Sequence, residues 1–188
     1  MNVTIQDDWL PWYNLHIFKE YILHVDFPWY KCEVVKEEGI AKSPIEQHPK
    51  FASRQQFVHA FLGSYGEDSS GGSKFIHEMG KLLNAKKLYR CKLNYGMRTF
   101  EPTIGGWHYD YKIEKNWSKE MNNAIPDMKI ALLYLNTNNG YTILEDGTKI
   151  ESIENRLAIF DNTVIHTDCS QTDTEGRLVL NIAFTTKD

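Results

Sequence analysis

Hydrophobic positions recur along the chain with two different periods. Between residues 8 and 24, Trp9, Leu10, Tyr13, Ile17, Phe18 and Tyr21 fall at helical spacing. Further on, Phe75, Ile76, Met79, Leu82 and Leu83 repeat at offsets of three and four, with Lys74, Glu78 and Lys81 between them. Both runs predict helices with one apolar face. The stretch "SPIEQHPKFASRQQFVHAFL" predicts a further short helix ending near Gly63. After Lys87 the period changes to two. "LYRCKLNYG", "GWHYDYK", "KIALLYLN", "GYTIL", "RLAIF", "TVIH" and "RLVLNIAFT" predict strands parted by Gly, Asn and Asp turns. The expected architecture is mostly β: one domain over residues 1–188, helical over about 1–87 and β over about 88–186. Many short strands at this spacing suit a sandwich or barrel, with the helices buttressing an outer sheet.

Composition narrows the function classes. A chain of 188 residues, 41% hydrophobic, can bury a substantial core. A net charge of −4 leaves no electrostatic footprint for nucleic acid or an anionic membrane. The N-terminal "MNVTIQDDWLPWYNLHIFKE" lacks the basic start and apolar run of a signal peptide, and no stretch approaches the roughly 20 apolar residues of a membrane span. A soluble, cytoplasmic protein is expected. Cys32, Cys91 and Cys169 are odd in number and form no C-x-x-C pair, which argues against a disulfide framework and against structural zinc.

The candidate chemistry lies in "GGWHYDYK". In a strand, residues i and i+2 share a face, so His108 and Asp110 converge while Trp107, Tyr109 and Tyr111 face the other way as packing residues. Two other H-x-D pairs occur, His24/Asp26 and His166/Asp168. His24 ends a helical run, where i and i+2 do not share a face. His166 is placed to complete a constellation that His108 and Asp110 open. Two histidines and a carboxylate are the ligand set of the facial triad, which holds Fe(II) and leaves the remaining positions open; Mn, Co or Ni would bind the same groups.

With "RLVLNIAF" added, the pattern resembles the 2-oxoglutarate and Fe(II)-dependent oxygenases, built on a double-stranded β-helix of jelly-roll, cupin-like type. The resemblance runs from about Leu88 to Thr185: His108-Tyr109-Asp110, the distal His166, then Arg177 on the last core strand. "LLYLN" and "NGYTILEDG" followed by "NRLAIFDNTVIH" are similar to the prolyl-4-hydroxylase branch. Small stand-alone members also occur in phage genomes, for which the compartment would be the host cytoplasm. The resemblance implies His108, Asp110 and His166 as iron ligands. It also implies Arg177 as the residue that grips the distal carboxylate of 2-oxoglutarate, Tyr134 as a second donor, and Asn181 and Tyr95 as further cosubstrate contacts. Periodicity agrees: Arg177, Val179, Asn181 and Ala183 share one face, opposite Leu178, Leu180, Ile182 and Phe184, and a buried arginine requires an anion.

Departures sharpen the reading. Val179 stands where many relatives carry Ser or Thr beside the arginine, and the second arginine of AlkB-type nucleic-acid demethylases is missing. The carboxylate of Asp110 argues against the halogenase variants. The implied reaction is hydroxylation of an unactivated C–H bond with release of succinate and CO2, consuming O2, with ascorbate as a candidate reductant. A small molecule or peptide, a prolyl residue or free amino acid among them, is the implied substrate. "GMRTFEPTIGG" and "IEKNWSKEMNNAIPDM" are nominated as the mouth and lid, with Arg98, Trp117 and Asn122 as contacts. Lys129 is an alternative grip for the cosubstrate. Two other readings are a non-catalytic cupin-type metal barrel and a metal-dependent enzyme that does not use 2-oxoglutarate; against the cupin reading, the chain has no H-x-H cluster.

Overall fold

The computed structural model describes residues 2–33, 54–63 and 73–187. Its elements run β1 (Thr4–Gln6), α1 (Trp12–Ile22), β2 (Tyr30–Glu33), β3 (Gln55–Leu62), α2 (Ser73–Leu82), β4 (Ala85–Met97), α3 (Lys119–Ala124), a 3₁₀ turn (Ile125–Asp127), β5 (Lys129–Tyr134), β6 (Tyr141–Leu144), β7 (Lys149–Glu151), β8 (Leu157–Asp161), β9 (His166–Cys169) and β10 (Gly176–Thr186). Seven strands form one sheet in the order β1-β8-β5-β10-β4-β3-β2, and three form a second, β7-β6-β9. Both sheets are antiparallel throughout. This is the expected jelly-roll arrangement of a double-stranded β-helix.

Strand alternation divides the interior in two. The leucines and Ile182 of β10 join Cys91, Leu93, Ala131 and Leu133 against Leu15, Phe18 and Ile22 of α1 and Met79 of α2. The other face of the large sheet supplies Ile130, Leu132, Tyr134, Ala158, Phe160, Val179 and Ala183, which pack on Leu144 and Ile150 of the small sheet. Every strand of the large sheet from β5 to β4 is therefore covered on both sides.

Several expectations change. Residues 55–62 form a strand, not a helix, because Phe57, His59 and Phe61 alternate toward the helical layer and the segment pairs with both β2 and β4. The N-terminal part is thus mixed; residues 43–53 of the same expectation lie outside the described residues. Helix α1 buries Leu15, Phe18 and Ile22, whereas Tyr13, Ile17 and Tyr21 are at least half exposed. "GWHYDYK" is not a regular strand. It meets β9 through the isolated bridge of His108 with His166, and Ile104 just before it makes another with Cys169. His166 opens β9 rather than closing a strand "TVIH", and β7 was not foreseen. No helix among the described residues is long and apolar enough to cross a membrane.

Candidate active site

A cavity of about 260 Å³ opens between the two sheets. Arg90, Lys92 and Asn94 of β4, Arg177, Val179 and Asn181 of β10 and Gln56 of β3 line it from the large sheet. Thr142 of β6 and His166 and Asp168 of β9 line it from the small one, with His108, Tyr109 and Asp110 at the junction. The polar stripes of β4 and β10 face inward because residues two apart share a face. Tyr109, expected to face away, lines the cavity, since an isolated bridge does not impose strand alternation on its neighbours.

His108, Asp110 and His166 converge: one ligand atom from each lies within 4.8 Å of the others. Reciprocal backbone bonds fix the two histidines, His108 N to His166 O at 3.0 Å and the reverse at 3.1 Å. Each ring is then oriented by its own loop. His108 Nδ1 meets Gly106 O at 2.8 Å, and His166 Nδ1 meets Val164 O at 3.2 Å. A carbonyl can only accept, so both Nδ1 atoms carry the proton and both Nε2 lone pairs are free for a metal.

Asp110 is held by two residues that also bond each other. Its Oδ1 is paired with Arg90 Nη2, and its Oδ2 accepts from Asn181 Nδ2 at 3.2 Å. Arg90 also donates to Asn181 Oδ1 at 2.6 Å. Burial pushes the Asp110 carboxyl up, but Arg90 and then His166 and His108 outweigh it, and the group lies well below the usual carboxylate range. Asp110 Oδ2 stands 3.6 Å from His166 Nε2. With Nδ1 protonated, these are two acceptors facing one another, a contact that a cation between them would make favourable.

In the metal-free protein, burial and then His108 push His166 down to about 4 from 6.5. The unfolded chain regains the ordinary value, so between these limits it binds a proton that the native state does not, and stability falls as pH drops through the window. We expect metal-free protein to be about 2 kcal/mol less stable at pH 5 than at pH 7.5. Urea denaturation at a series of pH values measures this; a flat profile across the window would contradict a neutral, buried His166.

The other end of the cavity is built around Arg177, which is only 8% exposed. Its Nε donates to Ser152 Oγ at 2.7 Å and its Nη2 to Thr142 Oγ1 at 3.0 Å. Among the described residues no carboxylate pairs with it, and its side-chain hydrogen-bond partners are hydroxyls. Gly140 makes room: a Cβ there would lie 2.9 Å from Arg177 Cδ. Tyr134 lies under the guanidinium, 5.3 Å from ring centroid to Cζ, fully buried, with its hydroxyl donating to Thr142 Oγ1 at 2.9 Å. Thr142 therefore accepts twice and keeps its own proton to donate elsewhere.

No protein-family model and no curated protein matches the sequence. Solved structures match over nearly the whole chain. An oxidoreductase of the 2OG-Fe(II) oxygenase family from Burkholderia pseudomallei aligns over 99% of this chain and 86% of its own, at 9% identity and a TM-score of 0.64. A Pseudomonas putida prolyl-4-hydroxylase aligns over 99% and 93%, at 14% identity and a TM-score of 0.55. A Trichoplax adhaerens prolyl hydroxylase, solved with a hypoxia inducible factor oxygen degradation domain peptide fragment, covers 97% and 83% at 14% identity, TM-score 0.53. This is the fold of the 2OG-Fe(II) oxygenases.

Within that oxygenase fold, the residues expected at the site divide. His108, Asp110, His166, Arg177 and Asn181 reach the cavity. Asn181 does so as a clamp on Asp110 and Arg90. Tyr134 is beneath the cavity wall, and Thr142 takes the surface position expected of it. Tyr95 faces the opposite side of β4, with Trp29 and Phe57, where its ring fills the space above Gly176. Lys129 pairs with Asp161 at 2.8 Å on the exposed side. The segment nominated as a lid carries α3, capped by Ser118, with Ile125 and Met128 buried, and Trp117 stacks edge-on to Tyr111. Arg98 pairs with Glu175, and Asn122 bonds the backbone of Glu114, so neither reaches the cavity.

Sequence reasoning missed Arg90, Thr142, Ser152 and the pair Arg54–Asp168, which meets at 3.0 Å. Arg90 had a signal: "LYRCKLNYG" alternates Arg90, Lys92 and Asn94 against Cys91, Leu93 and Tyr95, the same polar-against-apolar alternation that exposed Arg177.

Proposed function

We propose that the protein is a 2-oxoglutarate- and Fe(II)-dependent dioxygenase that hydroxylates an unactivated C–H bond, with release of succinate and CO2. The observation that carries this reading is Arg177: a buried guanidinium with hydroxyl partners alone, opening onto the same cavity as His108, Asp110 and His166. A metal barrel without a cosubstrate has no use for an uncompensated cation there, since burying one is costly without an anion.

The donor set fits the group. The two Nε2 atoms and Asp110 Oδ2 would hold Fe(II) and leave open positions, as expected of two imidazoles and a carboxylate. Arg90 and Asn181 keep Asp110 ionised and fix its orientation. Arg177 and the free proton of Thr142 would grip the distal carboxylate of 2-oxoglutarate, with Ser152 holding the guanidinium in place. When bound, iron with 2-oxoglutarate and O2 supplies the oxidising power to break an unactivated C–H bond. The protein's part is to bind, orient and exclude water.

Two structural neighbours are prolyl hydroxylases, one of them with a peptide fragment, so proline-containing peptides and free amino acids are the first substrates to screen. Another neighbour is a non-heme alpha ketoglutarate dependent epimerase, aligned at 9% identity and a TM-score of 0.58, so product mass should be read along with turnover. Purified protein supplied with Fe(II), ascorbate, O2 and 2-oxoglutarate should release succinate, and the product should gain one oxygen atom. An Fe(II)-loaded protein that does not bind 2-oxoglutarate anaerobically would overturn the reading.

A further inference from the structure

One side of the cavity stays unexplained by iron and 2-oxoglutarate. Lys92 lines it from β4, yet forms no hydrogen bond or ion pair with any described residue. Asn94, two residues on and on the same face, buries its Oδ1 without a partner. Gln56, on the neighbouring β3, also faces in with no partner for its amide among the described residues. Of the other cations at the site, Arg54 pairs with Asp168 and Arg90 with Asp110, Arg177 is left for the cosubstrate, and Lys112, also unpartnered among the described residues, is solvent-exposed where Lys92 is half-buried. Lys92 is directly opposite Asn181 across the β4–β10 ladder, and Asn94 is opposite Val179. The unpartnered group therefore lies beside the residue that clamps Asp110, on the side of β10 away from β5.

Charge points the same way. A divalent metal and a dianionic cosubstrate cancel each other. Arg54, Arg90, Lys92, Lys112 and Arg177 still outnumber the two carboxylates, Asp110 and Asp168. An ammonium kept half-buried without a counter-ion costs stability, and positions of that kind are retained for binding. Burial, with Arg90 next, already draws its pKa down to about 8.

We propose that the primary substrate is a small carboxylate-bearing molecule of free amino-acid type, its carboxylate held by Lys92 and its neighbouring N–H by the amides of Asn94 and Gln56. The inference rests on the oxygenase reading above and deepens it. The backbone of an internal residue of a polypeptide, an internal proline included, offers no charge to Lys92, and a cavity of about 260 Å³ suits a small ligand.

The test is an anaerobic calorimetric titration of Fe(II)- and 2-oxoglutarate-loaded protein. The probes are the common free L-amino acids, the carboxamide of each, and a peptide with an internal proline. At least one free acid is expected to bind, with its carboxamide weaker by about 30-fold or more. Lys92→Met should lose that discrimination, Lys92→Arg should keep much of it, and both should bind 2-oxoglutarate as the wild type does. Lys92→Met should also melt at or above the wild-type temperature, because an unpaired buried charge has been removed. The proposal falls if no free acid binds, if carboxamides or the peptide bind as well as acids, or if Lys92→Met keeps the preference or melts lower. In each of these results, retained 2-oxoglutarate binding leaves the oxygenase reading standing; its loss in the wild type would instead remove that reading.

Discussion

Asp110→Ala is expected to lose Fe(II) and, at the same time, to destabilise the protein by about 3 to 5 kcal/mol. The second effect comes from Arg90, which is 9% exposed and has Asp110 as its counter-charge. Removing the carboxylate leaves the guanidinium buried with only Asn181 Oδ1 to accept from it. The two effects separate in the double variant Arg90→Met/Asp110→Ala. With no charge left to strand, it should regain much of the lost stability while still binding no iron. Urea denaturation and iron content measured on the same preparations read both. Wild-type stability in Asp110→Ala would show that the pair does not hold the site together, and retained iron would remove Asp110 from the metal ligands. Ligand knockouts at this position therefore cannot be read from activity alone, because a fraction of the protein would be unfolded.

The residues that sequence alone made visible are those whose chemistry rests on one strand. His108 and Asp110 are two apart, Arg177 and Asn181 share a face of one strand, and alternation is enough to set them pointing together. The core strands β4, β5, β6, β8 and β10 were legible for the same reason, whereas β7 was not foreseen and β9 starts where the expected strand "TVIH" ends. What alternation does not carry is the partner across the gap between sheets. Thr142 on β6 and Ser152 just past β7 reach Arg177 over separations of 35 and 25 residues, and no local pattern marks either as its acceptor.

Faces were misassigned where the backbone departs from regular structure. Tyr109 follows His108 in a segment joined to β9 by single bridges, so the rule that sent it outward did not apply. Tyr95 is the opposite case. It belongs to a regular strand whose alternation places it with Cys91 and Leu93 against the helical layer, so the cosubstrate contact that the resemblance implied for it runs against its parity. Residues 55–62 read as helical because apolar residues cluster there; their pairing with two strands decides the matter through hydrogen bonds that a helix would have made internally.

The Arg177 end of the cavity yields the second large effect. Arg177→Gln is expected to raise the Kd of Fe(II)-loaded protein for 2-oxoglutarate by about 30-fold or more, since losing one partner of a buried charge pair costs about 2 to 5 kcal/mol. Glutamine is neutral, so the free protein gains no stranded charge and the loss reports on the ligand. Thr142→Val should come next. It removes a donor to a charged group, worth about 1.5 to 3 kcal/mol, and also an acceptor that fixes Arg177. Tyr134→Phe should matter least of the three, because its hydroxyl is spent on Thr142 and never reaches the cavity. Losing it frees Thr142 to rotate and leaves the ring beneath the guanidinium intact. Lys129→Ala should change nothing, as its ammonium is paired with Asp161 away from the site. Anaerobic titrations rank the four. A larger loss in Tyr134→Phe than in Thr142→Val would mean that the phenol, not the threonine, meets the ligand, and that the Thr142–Tyr134 bond opens when 2-oxoglutarate binds. A wild-type Kd in Arg177→Gln would leave the buried guanidinium without a ligand to explain it.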